Sequence, residues 1–217
     1  FKLAGKTLLV AAACMVLPLL VTLLYREDPM PFLSAMGITA LAGLLLSLLR
    51  ADTRFNSREG FFSAGLIWLL VGFFGALPFQ FSGYFPSFVD CLFESISGFT
   101  TTGASILTAV EPLPKGILFW RSFIHWLGGM GILVLTIALL PSLGARTLHV
   151  MKAESPGPII SKLVPKSSQS SKILYGIYLV LTVLVILALR AAGMDWFDSV
   201  THAFATAGTG GFRSEEH

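Results

Sequence analysis

The chain has 217 residues, 54% of them hydrophobic and only 12% charged, with a formal net charge of +3. A soluble domain carries about 25% charged residues, so this composition excludes an ordinary water-soluble globule, a disordered chain and a coiled coil, and leaves much of the surface facing lipid. Fifteen Lys and Arg against twelve Asp and Glu form no basic stripe, which argues against a nucleic-acid partner. Cys14 and Cys91 lie far apart in apolar sequence, with neither a CxxC pair nor metal spacing, and read as small buried hydrophobes.

With about 17 to 25 predominantly apolar residues taken as one crossing, spans are expected over Thr7 to Leu24, Phe32 to Leu49, Phe61 to Phe81, Gly116 to Leu140 and Ile173 to Ala192. The first of these is too long for a signal-peptide core, and no small-residue cleavage site follows it. A start at Phe1 and a charged stub after a glycine cluster read as trimmed ends, so the chain is expected to be part of a larger functional unit. Two further segments, Phe88 to Phe99 and Trp196 to Ala207, are too short to span and too apolar for solvated loops, and are expected to be re-entrant. With the N-terminus in the cytoplasm, ten of the fifteen basic residues fall on the cytoplasmic side, as the positive-inside rule requires, and both short segments enter from the external face. The stretch 144–172, with Ser155-Pro156-Gly157-Pro158 and a serine-rich end, reads as a cytoplasmic linker and a repeat boundary.

A shift of 108 residues places Asp90 on Asp198, Ser95 on Ala203, Ser97 on Ala205, Thr101 on Thr209 and Gly103 on Gly211. Each copy has the same layout: a span, an aspartate, a short apolar segment, then a run of Thr and Gly. Non-helical backbone at membrane depth is tolerated only where protein or a water-filled cavity surrounds it. Ion coordination supplies a reason for it here, because carbonyls of an extended segment replace a cation's hydration shell, glycine lets successive carbonyls turn toward one axis, and threonine adds a hydroxyl. A short helix ending at such a run aims its partly negative end at the ion. Asp90 and Asp198 read as structural caps, and Glu94 with its counterpart His202 as hydrogen-bonding supports of the short helices.

At Ser57-Arg58-Glu59-Gly60-Phe61, the FESISGFTTTGAS run from Phe93 to Ser105, Trp126-Leu127-Gly128-Gly129-Met130-Gly131-Ile132, Ala153-Glu154-Ser155-Pro156-Gly157-Pro158, and His202 to Phe212, the sequence resembles the TrkH/KtrB superfamily of potassium transporters, most closely its TrkH branch. The resemblance implies an all-α polytopic membrane protein whose pore is built from repeats of span, re-entrant pore helix, filter loop and span. It implies two additional N-terminal helices in 1–56, a first pore repeat in 57–143, the linker 144–172, and the start of a second repeat in 173–217. It also implies potassium binding at Thr101, Thr102 and Gly103 and at Thr209, Gly210 and Gly211, flanked by Thr100 and Ala104 and supported by Glu94 and His202. In the second copy Gly208 and Thr209 stand ahead of the glycine pair, where the family's filter varies. Potassium would be the transported ion, with no other cofactor. A homodimer in the bacterial inner membrane, with a TrkA-like cytoplasmic nucleotide-binding subunit gating the pore, completes the implied picture.

Gly128, Gly129 and Gly131 fit either a hinge or close helix packing. Arg121 with His125, one turn apart near the outer end of the span, fits an external vestibule or, the commoner case, snorkelling interface residues, with no binding role assigned. Two other classes stay in view. Ser95, Ser97, His125 and His202 supply the residue types of an intramembrane serine hydrolase, but no GxSxG elbow is present and the second copy has alanines where the first has serines. A carrier with alternating access is the other, though inverted repeats favour carriers and both copies here enter from one side.

Overall fold

The computed structural model of the protein describes residues 2–49, 57–110, 112–131 and 167–211, and every regular element among them is a helix. In chain order these are α1 (Lys2–Cys14), α2 (Val16–Leu24), α3 (Met30–Leu48), α4 (Ser57–Gly75), α5 (Leu77–Ser82) and α6 (Phe88–Phe99), then α7 over 115–131, α8 (Ser167–Ala191) and α9 (Trp196–Ala207). Four stretches are long and apolar enough to cross a membrane: Lys2–Leu24, Met30–Leu48, Phe62–Ser82 and Ile173–Ala191. The fifth expected span coincides with α7 over 115–131, and its remainder lies outside the described residues. So does most of the expected linker, except that α8 begins at Ser167, which places the serine-rich end of 144–172 in a helix.

Two of the spans are interrupted where proline demands it. The first breaks at Met15, three residues before Pro18, and the third at Ala76, two residues before Pro78. A proline lacks the amide that would bond the carbonyl four residues back, so the helix is reset rather than continued. At the start of α3, Asp28 Oδ1 accepts from the Met30 amide at 3.0 Å and Pro31 occupies the first turn, where its missing N–H costs nothing.

Small residues decide which spans lie together. Gly5 of α1 and Gly43 of α3 face each other, and a Cβ at Gly43 would sit 3.0 Å from the Gly5 carbonyl oxygen. Such close backbone approach is how apolar helices gain packing where lipid offers no hydrophobic contrast. The tightly packed centre includes Leu8, Met15, Phe32, Phe79, Phe99, Trp120 and Ile124, all buried, whereas Leu20, Leu24, Leu41, Leu45, Val180 and Leu184 are exposed apolar side chains suited to a hydrocarbon surround. On α8 the buried stripe is Tyr178 and Thr182, one turn apart; the Trp126 indole donates to the Thr182 hydroxyl at 3.0 Å and the Tyr178 hydroxyl donates to the Trp126 carbonyl at 3.1 Å.

The N-terminus of α7 is held from a distance. The Glu27 carboxylate, in the turn between α2 and α3, accepts from the amides of Lys115 at 2.7 Å and Gly116 at 2.9 Å. Those amides have no partner within their own helix, and a carboxylate there also opposes the positive end of the helix dipole.

Candidate functional site

The two short segments fold as helices of 12 residues each, α6 and α9, whose first residues Phe88 and Trp196 are 108 positions apart. Both begin with a side-chain cap. On α6 the Ser87 hydroxyl accepts from the Asp90 amide at 3.2 Å and donates to the Asp90 carboxylate at 2.9 Å; on α9 the Asp195 carboxylate accepts from the Phe197 amide at 3.2 Å. The capping residues are therefore Ser87 and Asp195. Asp90 and Asp198 stand in the first turn, where their charge complements the dipole.

The helices also end alike. Past α6, the Thr101 amide bonds the Gly98 carbonyl at 3.0 Å and the Thr102 amide reaches back to the Ser97 carbonyl at 2.9 Å. Past α9, the Thr209 amide bonds the Thr206 carbonyl at 2.9 Å and the Gly210 amide reaches the Ala205 carbonyl at 3.1 Å. This is the hydrogen-bond pattern of a Schellman ending, which needs a left-handed residue at its pivot. Glycine usually supplies it, yet the pivots here are threonines: Thr101 has φ 57° and Thr209 φ 59°. A β-branched residue in that region is strained. Two residues later in each loop comes a glycine, also left-handed, with φ 74° at Gly103 and 76° at Gly211.

The loops abut. A Cβ at Gly103 would collide with the Gly210 carbonyl oxygen, so only glycine fits between them. Helix α7 runs behind both. A Cβ at Gly128 would collide with the Phe99 carbonyl at the end of α6, and one at Gly129 would lie 2.6 Å from the Tyr178 hydroxyl and 3.1 Å from the Gly208 Cα. The glycines of α7 thus serve close approach to the ends of both short helices. His125 is completely buried; its carbonyl closes on Gly208 and its imidazole on Gly210.

The supports differ between copies. Glu94 is fully buried on α6, where its carboxylate accepts from the Ser105 hydroxyl at 3.0 and 3.2 Å, the Ile106 amide at 3.4 Å and Arg121 Nε at 2.5 Å. Ser97 donates to the Ala104 carbonyl at 2.6 Å. Thr100 and Thr102 are exposed and share a hydroxyl hydrogen bond of 2.8 Å, with Thr100 also bonded to the Ile96 carbonyl at 2.7 Å. In the second copy, His202 Nδ1 lies 2.8 Å from the Asp198 carbonyl of its own helix. The structure therefore brings the two loops together at Gly103 and Gly210, with Glu94 behind the first loop and His202 within α9.

Arg121 does not snorkel: it is 3% exposed and ion-paired to Glu94. A charged residue within an apolar span calls for a buried partner, and that signal was available for Arg121 in the sequence. The hydroxyls of a serine hydrolase are committed elsewhere, Ser97 to the Ala104 carbonyl and Ser95 to the Gly72 carbonyl at 2.8 Å.

The family model described as TrkH, a cation transport protein, matches residues 30–215. This chain belongs to the TrkH family. It is similar to the Trk system potassium uptake protein TrkH of Halomonas elongata, at 41% identity over 220 residues that cover 99% of this chain and 46% of that protein. The TrkH of Escherichia coli K12 is 41% identical over 223 residues, again covering 99% of this chain and 46% of that protein. Among solved structures, the crystal structure of the potassium transporter TrkH from Vibrio parahaemolyticus superposes with a TM-score of 0.84 at 36% identity, covering 99% of this chain and 43% of that one. The chain spans less than half the length of these TrkH relatives. TrkH family membership, together with the four apolar helices, makes this a multi-pass all-α membrane protein of a transporter family, not of an enzyme family.

Proposed function

We propose that this chain forms two of the ion-selecting loops of a potassium uptake pore, with α6 and α9 as re-entrant pore helices and the loops after them as filter strands. The observation that carries the reading is the matched pair of left-handed residues, Thr101 with Gly103 and Thr209 with Gly211, at the same offset as the helices before them. Strained backbone that recurs in register is backbone held for a purpose. Carbonyls turned to one side at the partly negative end of a helix make a ring of oxygens that replaces the water around a monovalent cation. Potassium is assigned from the named activity of the relatives.

In this reading α1 to α3 are additional N-terminal helices within 1–56, residues 57–143 form the first repeat around α6, and the second repeat begins after the linker 144–172. Thr101, Thr102, Gly103, Thr209, Gly210 and Gly211 supply the oxygens around potassium, flanked by Thr100 and Ala104. The protein lies in a bacterial inner membrane with its N-terminus in the cytoplasm, as the distribution of basic residues supports. The complete transporter is a homodimer gated by a TrkA-like nucleotide-binding subunit; the relatives' membership of a Trk system is consistent with such partners.

The test is ion flux into liposomes that hold the complete protein, with potassium, rubidium, sodium and lithium compared, and Gly103→Ser alongside. Flux that favours potassium and rubidium, with discrimination against sodium falling about tenfold or more in the variant, is expected, since a side chain at 103 must push against the Gly210 carbonyl. Undiminished discrimination in Gly103→Ser would overturn the filter assignment, and alternating-access kinetics in place of fast flux would favour a carrier.

A further inference from the structure

Behind the first loop lies a buried ion pair between Glu94 of α6 and Arg121 of α7. Glu94 is 0% and Arg121 3% exposed, beneath a loop on which Thr100, Thr102, Ala104 and Ser105 are exposed. The Glu94 carboxylate holds Ser105 and Ile106, and Ser97 holds the Ala104 carbonyl. Three consecutive residues directly after Gly103 are thereby tied to α6. A carboxylate removed from water needs a counter-charge as well as donors, and α7 supplies it through Arg121. The pair forms only when α6, the loop and α7 are docked together.

We infer that Glu94 and Arg121 are positioning residues for ion selection: they fix residues 104–106 and through them the direction of the Gly103 carbonyl. This rests on the filter reading above. The neutral loss of a buried partner leaves a charge uncompensated and destabilises the protein generally, so single deletions confound folding with selection. Removing both charges together avoids this, and it separates a selecting role from a merely structural one. In the second copy His202 stands at the position of Glu94 and Ala205 at that of Ser97, so the carboxylate and the serine hydroxyl that hold the first loop belong to the first loop.

The experiment compares the complete protein with Glu94→Gln/Arg121→Gln and with Arg121→Lys, which keeps the charge but not the planar guanidinium. Each is purified, checked for a monodisperse folded species, and assayed for potassium and sodium flux in liposomes. The expected result is a double variant that still transports potassium but has its potassium-to-sodium ratio lowered about tenfold, the scale of one lost charge-assisted hydrogen bond, and Arg121→Lys in between. An unchanged ratio in whichever variant recovers as folded protein overturns the inference. That outcome leaves the pore reading standing so long as Gly103→Ser in the same liposomes loses discrimination. If Gly103→Ser also keeps it, the pore reading has failed instead.

Discussion

The loop after α6 and the loop after α9 share a backbone and differ in nearly everything that touches it. Both follow a helix of 12 residues, both pivot on a left-handed threonine, and both place a left-handed glycine two residues on. Around the first, Ser97, Glu94 and Arg121 tie down the segment that follows; around the second, the aligned positions hold Ala205 and His202, and the neighbouring contacts are the carbonyl and imidazole of His125. The difference teaches that the left-handed turn is written in how a helix ends and where glycine stands, since it forms over two different sets of side chains.

Five substitutions, in three sets, break or sharpen that comparison. The largest effect is expected on α7. Gly128→Ala meets the Phe99 carbonyl, a backbone atom that cannot step aside, whereas Gly129→Ala meets chiefly the end of the Tyr178 side chain. Overpacking against backbone costs about 1 to 3 kcal/mol, so Gly128→Ala should lower the thermal unfolding midpoint in detergent clearly more than Gly129→Ala. Equal losses would mean that α7 presses on both loop ends alike.

Next comes the strain. Thr101→Gly and Thr209→Gly each remove a β-branched residue from the left-handed region and should stabilise the protein by about 1 kcal/mol, after the greater freedom of glycine in the unfolded chain is set against the relief. The two gains should match to within the error of a melting curve, because φ is 57° at one site and 59° at the other. A gain at one site alone would show that the surroundings, not the helix ending, impose the angle there. The smallest effect is expected from Ser97→Ala, which gives the first loop the alanine that the second already has. One hydrogen bond to the Ala104 carbonyl is lost, worth about 1 kcal/mol in unfolding free energy. A loss several times larger would mean that the bond organises the whole segment after Gly103.

Much of this was legible in the residues. Short apolar segments flanked by turn residues give α6 and α9 to the residue, because a dozen apolar residues leave few places to start and stop. Gly103 and Gly211 announce left-handed backbone. The left-handed threonines do not, since threonine disfavours that region and only the completed helix ending forces it. The role of α7 was half legible: its glycines are visible as a cluster, but whether they bend the helix or admit a neighbour depends on Phe99 and Gly208, which are remote in sequence. Arg121 was misjudged for the same reason, because its partner Glu94 lies 27 residues away on another helix.

The hold of Glu27 on α7 carries a consequence for the making of the chain. The segment just before α7 reads Pro112-Leu113-Pro114, and neither proline has an amide nor any of the three a side chain that can accept a hydrogen bond. The start of α7 is thus specified by a carboxylate 88 residues earlier, synthesised long before the amides it serves. Once those hydrogen bonds form, the hairpin of α2 and α3 and the wall behind both loops become a single piece, and helices made earlier act as the template on which α7 finds its register.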